Sequence, residues 1–210
     1  MRGSRSQSDI KILCSPTTGG AGNTNDRNMR NSLLMKLGTL MCVLAVHADI
    51  MPVKDFDMEK MAGEWFIVGY ASNAQWYVKQ KENMKLGTNV LKPADDGDLD
   101  LTYINVDANG TCWNNTYHAS KTDTPGRFTF HSKEWKNDND MRIVEVQYDD
   151  YAMVHTIKTR DNVSQVLNNL YSRTNEASAL LQEKFSQFSK DNGILPDNIL
   201  IIHKNETIDC

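Results

Sequence analysis

The chain has 210 residues, 40% hydrophobic and 24% charged, with a formal net charge of −4. Its 27 Asp/Glu against 23 Lys/Arg argue against nucleic acid and anionic membranes as partners. The length suits one domain with a sizeable core.

Residues 1–28 are rich in Gly, Ser, Thr, Asn and Arg and carry almost no apolar periodicity, so no packed core is expected there. Beyond Met29, Arg30 and Lys36 lead into an apolar run from Leu37 to Val46, and Val46-His47-Ala48 precedes Asp49. A basic start, a short apolar segment and small residues before a cut are the layout of a secretory signal peptide. The run is too short for a membrane-spanning helix, which needs about 20 residues; a buried core helix is the other reading of it. A signal lies near the N-terminus, so 1–28 reads as an upstream extension, with Met29 or Met35 as the start. The expected organisation is an extension (1–28), a signal peptide (29–48) and one folded domain (49–210).

Cleavage after Ala48 removes six Lys/Arg and two Asp/Glu, leaving 17 basic and 25 acidic side chains and a formal charge of −8. Of the cysteines, Cys14 and Cys42 fall in the removed part. Cys112 and Cys210 remain, an even number in an oxidising compartment. A bridge between them would close a loop worth nominally about 4–5 kcal/mol in the chain-entropy picture. Asn-x-Ser/Thr sequons at Asn109, Asn114, Asn162 and Asn205 agree with a secreted, extracellular chain.

After Asp49 the pattern is short strands. "WFIVGYAS" is apolar and β-rich. "TNVLKPADDGDLDLTYINVDANGTCWNNTYHAS" holds three runs divided by turn sequences at Pro93–Gly97 and Asp107–Gly110. "GRFTFHS", "MRIVEVQYDD", "YAMVHTIKT" and "VLNNLYSRT" follow at a meander's spacing, with Asp149-Asp150 as a tight turn. One stretch reads as helix, "NEASALLQEKFSQFSKDNG". It has Leu180, Leu181, Lys184, Phe185 and Phe188 on one side, Thr174 or Asn175 as N-cap, and Asn192-Gly193 as its stop. "PDNILIIHKN" reads as a last short strand. This predicts an all-β fold: an eight-stranded antiparallel up-and-down barrel with one C-terminal helix packed outside. A two-sheet sandwich has the same cadence, and strand counting does not separate the two.

The residues resemble a family at this point. Gly63-Glu64-Trp65 opens the first strand, with Phe56 and Met61 before it. "VEVQYDDYAM" keeps Tyr148 and Tyr151, and "NLYSRT" carries Arg173. In that order they resemble the lipocalins, secreted barrels that hold one small apolar ligand. The resemblance implies that Phe56 and Met61 belong to a turn of 3₁₀ helix. It also implies that Arg173 stacks over Trp65 at the closed end, and that Cys112 pairs with Cys210. Among lipocalins the chain is most similar to the prostaglandin D synthases, through "AGEWFIVGYASNAQW", "KPADDGDLDLT", "GRFTFHSKEW" and "LYSRT". Those enzymes isomerise a prostaglandin endoperoxide with a cysteine thiol. Alignment through "KPADDGDLDL" places Gly87 at that position, and a thiolate is the reactive species in such chemistry. The expectation is a carrier of a small lipophilic ligand such as a fatty acid, retinoid or bile pigment. Prostaglandin-H2 D-isomerase activity and a protein-interaction lipocalin, acting through a receptor or other partner protein, are the alternatives. A monomer without cofactor or metal is expected.

Several residues are candidates for the ligand site. Trp76 lies in the loop after the first strand and Trp135 in a second rim segment; Leu86 precedes the second strand. Alternation puts Thr102, Ile104 and Val106 on one face, and the resemblance turns that face inward with Tyr117, Phe130, Val154, Leu167 and Tyr171. His131 and His155 could hydrogen-bond a ligand's oxygen. The four histidines His118, His131, His155 and His203 lack metal-ligand spacing. Asp95, Asp96, Asp98 and Asp100 read as a solvated hairpin.

Overall fold

The computed structural model describes residues 49–106 and 110–202. The extension, the signal peptide, Asn109, His203, Asn205 and Cys210 lie outside the described residues.

The first strand begins where only glycine fits. Gly63 has φ +100°, and a Cβ on it would lie 3.3 Å from an Arg173 guanidinium nitrogen. The residues before it form a short helix, α1 (Met58–Met61), capped by the Asp57 side chain, which accepts from the Lys60 N–H. This turn is α-helical, where the resemblance implied 3₁₀. The chain then runs through β1 (Gly63–Ala71), the short helix α2 (Gln75–Val78), β2 (Gly87–Pro93), β3 (Leu99–Val106), β4 (Cys112–Lys121) and β5 (Arg127–Ser132). It continues with β6 (Asn137–Gln147), β7 (Tyr151–Arg160), β8 (Val163–Ser172), α3 (Ala179–Asp191) and β9 (Ile199–Ile201).

Each strand from β2 to β8 pairs antiparallel with the next, β8 pairs with β1, and β1 pairs with β2, so the sheet closes into a barrel. Closure removes the free edges an open sheet would expose. β1 serves two partners along one edge: Gly63–Ile67 pair with β2, and Gly69–Ala71 pair with β9. A bulge between Ile67 and Gly69 marks the changeover, in keeping with the local bend a bulge gives a strand. The sandwich reading is thereby excluded.

The helix packs on the outer wall. Gly69 leaves room for it, since a Cβ there would come within 2.9 Å of both Leu170 and Phe185. Leu181 and Phe185 are buried, and burial of each such side chain stabilises by about 1.5–3 kcal/mol. Two expectations about α3 are corrected. Its N-cap is Ser178, whose hydroxyl accepts from the Leu181 N–H, because the helix begins only at Ala179. Leu180 is 82% exposed, because the stripe facing the sheet passes through Leu181, Phe185 and Ser189. Asn192 caps the C-terminus, with Gly193 following.

Candidate functional site

Directly paired residues share a face of a sheet, so pairing alone traces the barrel's lining. Trp65 pairs with Asn89, and Asn89 with Tyr103. Leu101 pairs with Tyr117, Tyr103 with Asn115 and Asn105 with Trp113. The Tyr117 ring meets Phe130 at 5.0 Å. Phe130 pairs with Asn139, and Asn139 with Lys158. Lys158 pairs with Gln165, Thr156 with Leu167 and Val154 with Asn169. The opposite face of β7 and β8 lies under α3, where Asn168 donates to Ser189. The first set is therefore the interior.

One end of this interior is plugged. Trp65 is fully buried and donates its indole N–H to the Met61 carbonyl at 2.9 Å. The Arg173 guanidinium lies 3.6 Å from the Trp65 ring centroid. It also donates to the carbonyls of Lys60, Ala62, Glu64 and Tyr148. The Tyr148 hydroxyl accepts from the Asp57 N–H at 2.7 Å and donates to the Asp55 carbonyl. Trp65, Gly63, Tyr148 and Arg173 thus form one closed end.

At the other end lie α2 and the turns that follow β5 and β7. Trp76 is 38% exposed and donates to the Gln165 side chain at 3.1 Å. Trp135, 51% exposed, sits in the β5–β6 hairpin. Leu86 is buried just before β2.

The interior is more polar than its apolar members suggest. The Tyr70 hydroxyl is 3.4 Å from that of Tyr103, and Asn105 donates to Tyr103 at 2.5 Å. Asn89 donates to the Tyr171 hydroxyl at 2.6 Å, while its Oδ1 has no partner among the described residues. Burial pushes the Tyr70, Tyr103 and Tyr171 phenols above their usual range, so all three stay neutral hydrogen-bonding groups. Gly87 faces this cluster. A Cβ on it would lie 2.8 Å from the Tyr103 ring, 3.0 Å from Asn105 Nδ2 and 3.0 Å from the Tyr70 hydroxyl.

Nearer the open end Lys158 donates to Asn139 Oδ1 at 2.7 Å, and burial lowers its ammonium from 10.5 to about 8.

Among the sequence candidates, Tyr117, Phe130, Val154, Leu167 and Tyr171 lie on the interior face. Three placements and two histidines differ from expectation. Thr102, Ile104 and Val106 lie on the outer face, where Thr102 and Thr116 hydroxyls meet at 3.0 Å. The inner set of β3 is Leu99, Leu101, Tyr103 and Asn105, one residue out of phase, because that set pairs with Asn89 and Leu91 opposite Trp65 and Gly63. His131 points outward to Asp138 at 2.7 Å. His155 is buried beneath α3, 2.8 Å from Asn168 Oδ1, and burial lowers its pKa. Neighbours in a strand face opposite ways, so Phe130 and Val154 inside required His131 and His155 outside. The same alternation from Val154 through Thr156 reaches Lys158, the signal by which sequence reading could have found it. Asn89, Asn139 and the Tyr70–Tyr103 pair carry no comparable local signal, since their importance lies in cross-barrel contacts.

On the outer surface Asp96, Asp98 and His118 offer atoms within 4.8 Å of one another. His118 also contacts Asp100 at 2.9 Å, a contact that, with the nearby carboxylates, raises its pKa. Lys121 donates to the Asp96 carbonyl and the Asp98 carboxylate, so the cluster closes the β2–β3 hairpin against β4. Asn114 and Asn162 are exposed, the latter in the β7–β8 turn with φ +61°.

A barrel plugged at one end by Trp65 and Arg173, with a lined interior and Trp76 and Trp135 toward the other end, forms a calyx. A sequence profile of the lipocalin / cytosolic fatty-acid binding protein family matches residues 62–206, and the chain belongs to that family. It is 36% identical over 169 residues to "Lipocalin" of Rhinella marina, covering 80% of this chain and 91% of the relative. It is 31% identical over 177 residues to "Prostaglandin-H2 D-isomerase" of Felis catus, covering 83% and 90%. Among solved structures it superposes on the siderocalin Ex-FABP, described as working through dual ligand specificities. That match has a TM-score of 0.57 and 21% identity over 68% of this chain and 93% of the other, a likeness of fold. Binding of small hydrophobic ligands is the family's function, and its lipocalin members are typically extracellular. No helix among the described residues is long and apolar enough to cross a membrane.

Proposed function

We propose that this chain is a secreted carrier that holds a small lipophilic ligand, such as a fatty acid, retinoid or bile pigment, in its barrel and has no isomerase activity. The observation that carries the reading is Gly87. The position aligned with the synthases' thiol has no side chain, and the space a Cβ would enter is taken by Tyr103, Asn105 and Tyr70. Without a thiolate, no nucleophile suited to that chemistry faces the cluster among the described residues, since neutral tyrosine and amide groups there bind rather than attack. Cleavage after Ala48, the Cys112–Cys210 bridge, sugars on Asn109, Asn114, Asn162 and Asn205, and a monomeric state belong to the same proposal. The ligand-contacting set is the interior one with Trp76, Leu86 and Trp135 at the open end.

The test is quenching of tryptophan fluorescence in residues 49–210 titrated with retinoic acid, bilirubin and oleate. Saturable quenching in the micromolar range, reduced in Trp76→Phe, is the expected result; quenching by none of the three overturns the carrier reading. The likeness to prostaglandin-H2 D-isomerases favours isomerase activity as the second reading. Thiol-dependent turnover of the endoperoxide by the unmodified chain would establish it.

A further inference from the structure

Among the described residues one half-buried lysine lies on the interior face with no carboxylate beside it, whereas Arg160, next along that face, is exposed and paired with Asp161 at 3.5 Å. Lys158 shares its face with Val154 and Thr156, stands between Asn139 on β6 and Gln165 on β8, and is half-buried. Its Nζ donates to Asn139 Oδ1. Among the described residues no carboxylate pairs with it, and burial alone accounts for its lowered pKa.

Asn139 is held in place for this contact. It is 2% exposed, and its Nδ2 donates to the Asn137 side chain at 2.9 Å, with longer contacts to the Asn137 and Phe130 carbonyls. With its amide nitrogen committed to β5 and β6, its oxygen is fixed toward Lys158. The ammonium is therefore positioned, and two of its three donors have no protein partner among the described residues. Around and beneath it the lining is apolar or aromatic: Phe130, Tyr117, Met141 and Leu167 share the face.

Burying an unpaired ammonium costs folding energy, so a group that supplies the missing charge gains what the protein has already forgone. The match is a singly charged anion on an apolar body. A dianion such as a phosphate monoester would leave one charge uncompensated beside a single ammonium. A neutral lipid would leave the ammonium as it stands. Lys158 lies toward the open end, six positions along β7 from Ala152, which pairs with Tyr171 above the plug. At about 3.3 Å per residue that is roughly 20 Å of strand, so an apolar tail reaching inward from Lys158 has the depth of the barrel to occupy.

We infer that the carried ligand is a lipophilic monocarboxylic acid, seated tail first, with its carboxylate paired to Lys158 near the open end. The inference rests on the carrier reading above and specifies its ligand class.

Oleate and oleyl alcohol test it, because they share one chain and differ in the carboxylate. Both are titrated by tryptophan quenching into the wild-type protein and into Lys158→Met and Lys158→Gln. Wild type is expected to bind oleate about tenfold to a hundredfold tighter than oleyl alcohol, the range for a hydrogen bond to a charged group. Both substitutions are expected to remove most of that preference and to leave oleyl alcohol within about threefold, which also reports that the variants fold. Equal affinity of wild type for the two probes, undiminished oleate binding by both variants, or equal loss of both probes overturns the assignment of Lys158 and leaves the carrier reading standing. Failure of wild type to bind either probe or any of the three ligands above overturns the carrier reading, and the inference with it.

Discussion

The Arg173 guanidinium sits 3.6 Å from the centroid of the Trp65 ring, and its nitrogens reach four backbone carbonyls around that ring. One side chain thereby ties the turn after β6, the entry to β1 and the end of β8 into a single floor. A cation–π contact of this kind contributes about 0.5–2 kcal/mol, and the planar fork of Arg is what allows several donors to be used together. Arg173→Lys is expected to keep the charge and lose most of the fork, destabilising by about 2 kcal/mol. Thermal melts should show Tm lower by roughly 4–8 °C. An unchanged Tm would mean that the floor is held by the Trp65–Met61 and Tyr148–Asp57 bonds alone.

Gly87 makes a prediction of the opposite kind, an addition. Gly87→Cys would place its Cβ 2.8 Å from the Tyr103 ring, and overpacking of this sort costs about 1–3 kcal/mol. Urea unfolding should show that loss, and Tyr103→Ala in the same chain should recover part of it by vacating the space. Restoring a thiol at 87 therefore requires remodelling of Tyr103 as well.

His155 governs part of the acid response. Its pKa is lowered from the ordinary 6.5, chiefly by burial and against the hydrogen bond to Asn168. The unfolded chain therefore takes up this proton at a higher pH than the folded one. Stability from this group is complete above 6.5 and is lost as pH falls through the folded value. His118, with its pKa raised, acts in the other direction, but it is exposed and screened. Urea midpoints should fall between pH 7 and 5 in wild type and fall less in His155→Gln; parallel curves for the two would remove His155 as the cause.

Lys158 sets stability against binding. Holding its ammonium at about 8 rather than 10.5 leaves it charged at neutral pH but makes that charge less favourable in the folded than in the unfolded chain. After allowing for its remaining solvent contact, Lys158→Met is expected to stabilise the ligand-free protein by about 1–3 kcal/mol. Chemical denaturation without ligand measures this. A loss of stability would show that the Asn139 bond outweighs the burial cost.

The sequence alone marked the runs that become strands and the helix that follows them, while the closed barrel and the Trp65–Arg173 plug were what the resemblance to the lipocalins implied. The strands and the helix depend on local signals, alternation within each run and turn residues between runs, whereas the plug rests on family motifs at Gly63-x-Trp65 and Arg173 that are far apart in the chain. Gly87 was also plain in the sequence, since an absent side chain is legible without coordinates. Tertiary structure alone decided which face of β3 looks inward. Leu99–Leu101–Tyr103 and Thr102–Ile104–Val106 both alternate acceptably, and only pairing with Asn89 and Leu91 selects the first. The same holds for His155, whose place beneath α3 depends on a helix more than twenty residues later in the chain. Lys158 stood in plain alternation with Val154, yet its significance required knowing that no carboxylate from any neighbouring strand meets it. Period and turn chemistry act between residues close in sequence, whereas burial and charge balance are sums over everything the fold brings near.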